Sequence, residues 1–103
     1  LKHKTFHVIG DDIYLTLPIT PWEAALGATI LVPTMSNKIE LKIPENSQSG
    51  QKLRIKGKGL PGKLPGDQYV ILKIVTPPAA NAAAKKLYTE MAAQMPYNPR
   101  EGL

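Results

Sequence analysis

From Lys38 to Val75 the chain alternates apolar and polar residues in three runs, KIELKI, QKLRIKGKG and QYVILKIV. That two-residue period predicts half-buried β-strands. Ile39, Leu41 and Ile43 fall on one side of the first run, with Lys38, Glu40 and Lys42 on the other. In the second run Leu53 and Ile55 face inward, and Lys52, Arg54, Lys56 and Lys58 share the opposite face. The third run carries Tyr69, Ile71, Lys73 and Val75 on one side and Val70, Leu72 and Ile74 on the other. It is apolar on nearly both sides, which predicts a central strand. Pro44–Gly50, rich in Pro, Asn, Ser and Gly, joins the first two runs, and the pair reads as a hairpin-like block. Gly57 to Asp67, with four glycines and two prolines, leads into the third run.

Upstream, Leu1 to Gly10 has no clear period and reads as a lead-in linker with one anchor, Phe6. Asp12 to Ile19 alternates again, with Ile13, Leu15, Leu17 and Ile19 on one face. Pro18 removes a backbone donor near its end, which suits an edge or a terminus. Thr20, Pro21 and Glu23 form the signature of a capped helix start, and Gly27 supplies its stop. Trp22 and Leu26 are expected to seat this short helix on the sheet as a plug. Ala28 to Val32 returns to β-type composition, Pro33 ends it, and Thr34 to Asn37 is a turn.

Pro77–Pro78 closes the sheet region, and the period then changes. Ala84, Leu87, Tyr88, Met91 and Met95 recur at helical spacing, between Asn81 as a cap and Pro96 as a stop. A helix over about Ala82 to Met95 would be roughly 20 Å long. The expected division is a β-domain over 1–78, its lead-in linker covering 1–11, and a helix with its tail over 79–103. An amphipathic helix placed after such a break must cover its apolar stripe. The sequence leaves two covers open, the helix's own sheet or a second copy of the chain.

The length of 103 residues fits one domain, and 43% hydrophobic residues separate it from disordered tails. The chain starts at Leu1 rather than Met, and we expect it to be cut from a longer protein. It holds no apolar run long enough to span a bilayer and no signal-peptide pattern at its start, so no membrane role is expected. Cysteine is absent, which removes disulfide and thiol chemistry and is compatible with a cytoplasmic location. Charge is concentrated. The formal net charge is +5, and the segment from Lys38 to Lys63 holds seven basic residues against Glu40 and Glu45, so the remainder balances. Such a strip attracts phosphates or acidic partners. On composition it reads more readily as a lysine-rich face that keeps a sheet soluble, because the strip contains no stacking aromatics.

Candidate chemistry is thin. Gly57 to Lys63 has the spacing of a phosphate-binding loop, but Leu64 stands where Ser or Thr must hold magnesium. Pro65 and Gly66 forbid the helix whose first amides such a loop needs. His3 and His7 lack the neighbouring glutamate and further ligands of a zinc site. Asp11 and Asp12 read as strand-capping residues. Ser47 and Ser49 sit in a turn with no adjacent base. No set supplies nucleophile, base and oxyanion donors together, and the reading is a protein without catalysis, cofactor or metal.

The runs LPITPWEAALGATILVPT and LKIPENSQSGQKLRIKGKGLPGKLPGDQYVILKIV resemble the C-terminal region of DnaJ-type co-chaperones, within them the curved-DNA-binding protein A branch. His3-Lys4-Thr5-Phe6 and Gly10-Asp11-Asp12-Ile13-Tyr14 are similar to the segment leading into that family's second C-terminal β-domain. Lys4 departs from the proline usual after the histidine. The resemblance implies a mainly β, sandwich-like domain with one short inserted helix. It implies that the terminal helix dimerises the protein through Ala84, Leu87, Tyr88, Met91 and Met95. It implies a parent that presents non-native polypeptides to a DnaK-type ATPase through parts outside this chain. This chain has no His-Pro-Asp motif for stimulating that ATPase, and the domain carrying the main peptide groove also looks absent. The branch makes DNA a candidate partner, on the nucleoid, with Lys42, Lys52, Arg54, Lys56, Lys58 and Lys63 as candidate contacts.

Overall fold

The computed structural model describes residues 6–62 and 65–103. His3 and Lys4 of the lead-in segment, and Lys63 and Leu64 of the glycine-rich loop, lie outside the described residues. The chain forms β1 (Phe6–Ile9), β2 (Asp12–Ile19), α1 (Pro21–Leu26), β3 (Ala28–Pro33), β4 (Lys38–Ile43), β5 (Lys52–Ile55), β6 (Gln68–Ile74) and α2 (Ala82–Gln94). It is a small, mainly β fold with two sheets and two helices, one inserted and one C-terminal. Among the described residues, a four-stranded sheet has the order β1-β2-β6-β5, and β3 pairs with β4 in a two-stranded ribbon.

The alternation seen in the sequence becomes the core. Ile13, Leu15 and Ile19 of β2, and Val70 and Leu72 of β6, are buried. Leu15, Ile19, Val70 and Leu72 cluster with Val32 and Ile43 from the ribbon and Ile55 from β5. Strand β6 is central, as its two-sided apolar composition predicts, with β2 parallel on one side and β5 antiparallel on the other. Among the described residues Pro18 lies beyond the stretch of β2 that β1 covers, and its missing N–H faces no described strand on that side. The Gln68 side-chain amide, fully buried, donates to the Pro33 carbonyl at 3.0 Å and ties the two sheets together.

Four expectations need correction. Phe6–Ile9 is a strand, where no period was legible. It turns through Gly10, at φ 62°, and Asp11 to pair antiparallel with β2. Only Phe6 in it is part-buried, so an edge strand this short leaves no alternation to read. Runs β4 and β5 are not a hairpin. β4 belongs to the ribbon and β5 to the larger sheet. Pro44–Gly50 instead crosses between them, and the Asn46 and Ser47 amides donate to the Ala25 and Ala24 carbonyls at the end of α1. Third, Trp22 and Leu26 do not plug the sheet. They are 56% and 73% exposed, and Ala24 is the residue that α1 buries. At about 100° per residue Ala24 lies opposite the other two, and its methyl group lets the helix approach closely. Fourth, Lys56 and Lys58 follow the end of β5 and lie in a turn, so they do not share its face.

The expected helix cap is present in full. The Thr20 amide donates to Glu23 Oε1 at 2.8 Å, and the Glu23 amide donates to Thr20 Oγ1 at 3.2 Å. Helix α2 begins where Asn81 predicts it, with the Ala84 amide donating to Asn81 Oδ1 at 2.8 Å. None of its residues is buried. The molecule is therefore long, 54 Å in its greatest extent, with a radius of gyration of 17.0 Å. A compact chain of this length would have roughly 13 Å.

Candidate functional site

Helix α2 gathers the five predicted contact residues on one side. At about 100° per residue, Ala84, Leu87, Tyr88, Met91 and Met95 fall within one third of the circumference. Ala84 and Tyr88 are half-buried where the helix leaves the Pro77–Pro78 segment, and the Tyr88 hydroxyl donates to the Pro77 carbonyl. Further along, Leu87 is 68% exposed, Met91 42% and Met95 61%. Three large exposed apolar side chains thus share one stripe on a helix with no fully buried residue.

The basic strip of the sequence does not form one surface. Lys42 stands on the outward side of the ribbon, in the sheet other than that of Lys52 and Arg54. It helps line a cleft of about 380 Å³ with Leu26, Thr29, Ile43, Pro44 and Glu45, at the end of α1. Lys52 and Arg54 are on the outward face of β5, Lys56 and Lys58 follow in the turn, and Lys63 lies outside the described residues. Arg54 is held by Asp67, Nη2 to Oδ2 at 2.7 Å. The Gly57 amide, first, and the Arg54 guanidinium keep the Asp67 carboxyl below its ordinary pKa of 3.8.

The fold adds what the strip lacked. Tyr14 of β2 and Tyr69 of β6 are register partners and stack with ring centroids 5.1 Å apart and planes 22° from parallel. Lys52 Nζ lies 5.0 Å from the Tyr69 ring centre and 5.7 Å from that of Tyr14. Tyr14 was readable as outward-facing from the alternation of its strand, whereas β6, apolar on nearly both sides, gave no such sign for Tyr69. That they adjoin depends on the parallel β2–β6 pairing, for which one sequence carries no local signal.

Among the described residues of the glycine-rich loop, the amides of 57–60 are spent on the fold. Gly57 N–H goes to Asp67 Oδ1, Lys58 N–H to Ile55 O, Gly59 N–H to Gly66 O and Leu60 N–H to Asp11 O. These are the groups a phosphate cradle would need free. Asp12 acts locally, accepting the Asp67 amide on Oδ1 at 2.8 Å. Ser47, buried, donates from Oγ to the Pro44 carbonyl at 2.6 Å, and Ser49 Oγ accepts the Ile74 amide at 3.0 Å. His7 is exposed on β1. Among the described residues no three His, Cys, Asp or Glu side chains converge as metal ligands. No helix there is long and apolar enough to cross a membrane.

Comparison with known proteins matches residues 1–77 to the DnaJ C terminal domain family. The chain is 55% identical over 101 residues to the curved DNA-binding protein of Coxiella burnetii, covering 98% of this chain and 32% of that protein. It is 48% identical over 100 residues to the curved DNA-binding protein of Pseudomonas putida, covering 95% of this chain and 31% of the relative. With that of Escherichia coli it shares 46% identity over 101 residues, 96% of this chain and 33% of the relative. The chain thus spans about a third of the length of the curated relatives it matches.

Proposed function

The chain belongs to the DnaJ C-terminal domain family and is a DnaJ-type co-chaperone module, and from that premise we propose that it is a non-catalytic holding and dimerisation unit. Two copies join through α2, and each contributes a β-domain that contacts non-native polypeptide. The cleft beside Leu26, where that residue is 73% exposed and Thr29, Lys42 and Glu45 add polar lining, offers a mixed apolar and polar surface to such a client. Parts of the parent protein outside this chain deliver the client to a DnaK-type ATPase. The benefit of pairing is geometric, because two arms at a fixed span raise the effective concentration of binding sites on one client chain.

The observation that carries this reading is the Leu87, Met91 and Met95 stripe on a helix with no buried residue. Sedimentation of the unaltered chain should give a dimer. Leu87→Glu with Met91→Glu should give monomers whose circular dichroism keeps the β signature. A chain that sediments as a monomer at high concentration would refute the assembly role.

A second reading is DNA binding. It is favoured by the relatives being curved DNA-binding proteins and by the Lys52 cation, unpaired among the described residues, on an aromatic pair.

A further inference from the structure

The register of the four-stranded sheet builds an outward face that no single run of the sequence contains. Tyr14, Tyr69 and Arg54 stand in one row across β2, β6 and β5, and Lys52 and Lys73 occupy the rows beyond. Among the described residues Arg54–Asp67 is the only ion pair, so the Arg54 charge is balanced while Lys52 and Lys73 are unpaired. Lys52 is held in place by the ring faces beneath it, at 5.0 and 5.7 Å, so part of its ordering cost is met before any ligand arrives. Lys73 is diagonal to it across one strand spacing, roughly 7–8 Å between backbones, and is exposed on the same side. Neither tyrosine hydroxyl has a hydrogen-bond partner among the described residues, and tyrosine hydroxyls are phosphate donors.

Two cations unpaired among the described residues, Lys52 held over the rings and Lys73 exposed beside it, and two free hydroxyls on a broad sheet suit a phosphodiester backbone. A sheet face of this width does not enter the major groove, where base edges carry a full code. We infer that this face, with Lys52 and Lys73 as its charged contacts and Tyr14–Tyr69 as its rigid spine, grips the sugar–phosphate backbone of duplex DNA without reading sequence. The inference rests on the DNA reading above and moves the contact away from Lys42, on the other sheet, and from the Lys56–Lys58 turn.

The test is the salt dependence of binding of this chain to a duplex of mixed sequence. Each lost phosphate contact lowers the slope of log K against log salt by about 0.9. Lys52→Gln with Lys73→Gln should therefore flatten the slope by roughly 1.8, two contacts' worth. Lys38→Gln with Lys42→Gln removes the same charge from the other sheet and should leave the slope in place, as should Lys56→Gln with Lys58→Gln. If either of those pairs flattens the slope and the Lys52/Lys73 pair does not, the face is wrong while DNA binding stands. If polyglutamate displaces the duplex at equal charge, the face serves acidic polypeptide and the inference is overturned. If the unaltered chain is not retained by duplex at low salt, the DNA reading itself fails and takes the face with it.

Discussion

The glycines of the loop between β5 and β6 do different work at neighbouring positions. Gly57 supplies the positive φ of a turn, at 76°. Gly59 and Gly66 are needed for a different reason, the close approach of two backbones. A Cβ on Gly59 would lie 2.5 Å from the Asp11 carbonyl oxygen, and one on Gly66 would overlap that carbonyl outright. A Cβ on Gly62 would meet nothing within 4 Å. Gly66→Ala should thus destabilise the chain by roughly 1–3 kcal/mol, as overpacking does. Gly62→Ala should stay within about 0.5 kcal/mol of the parent. Urea midpoints of the two variants check the contrast, and equal midpoints would contradict it. The composition of this loop was visible in the sequence. Which glycine is irreplaceable was not, because the obstacle is the Asp11 carbonyl of the β1–β2 turn, far upstream in the chain. Ala24 teaches the same lesson, since the residue that seats α1 is the smallest apolar one there rather than Trp22 or Leu26.

At the scale of elements, local chemistry was legible and partnership was not. Strand positions follow from alternation, and both helix starts follow from their caps, because each depends on residues within a turn of one another. Sheet membership depends on packing, so β4 and β5 looked like a hairpin although they lie in different sheets. The same limit hid the Tyr14–Tyr69 pair. The two caps also differ in consequence. Helix α1 has six residues, too few to persist alone, and is tied at both ends, by its capping box and by the Asn46 and Ser47 amides. It is part of the cooperative core through Ala24. Thr20→Ala should therefore lower global stability by about 1 kcal/mol. Asn81→Ala should fray α2, seen as lost helical ellipticity, and leave the urea midpoint of the sheet unmoved. A matching drop in both variants would mean that α2 shares the fold of the β-domain.

For the whole molecule the decisive fact is that the hydrophobic core is complete before α2 begins. Every buried residue of the core cluster lies between Leu15 and Leu72, and the helix stands beyond Pro77 with no buried side chain. Its apolar stripe was evident from the sequence. Whether that stripe turned back onto its own sheet was not, since periodicity identifies a face and not its cover. Two consequences follow for a chain ending at residue 78. In dilute solution it should melt close to the temperature of the intact chain, because what it has lost adds no residue to the core cluster and only the half-buried Ala84 and Tyr88 beside Pro77. As concentration rises the two should diverge. Association of the intact chain through α2 binds the native state and raises its melting temperature by mass action, whereas the shortened chain has nothing to associate through. Calorimetry over a hundredfold concentration range distinguishes the outcomes. A shortened chain that fails to fold would show that α2 completes the β-domain in cis. Parallel, concentration-independent melting of both would leave the stripe without a second copy as its cover, and the pairing of holding arms would have to be abandoned.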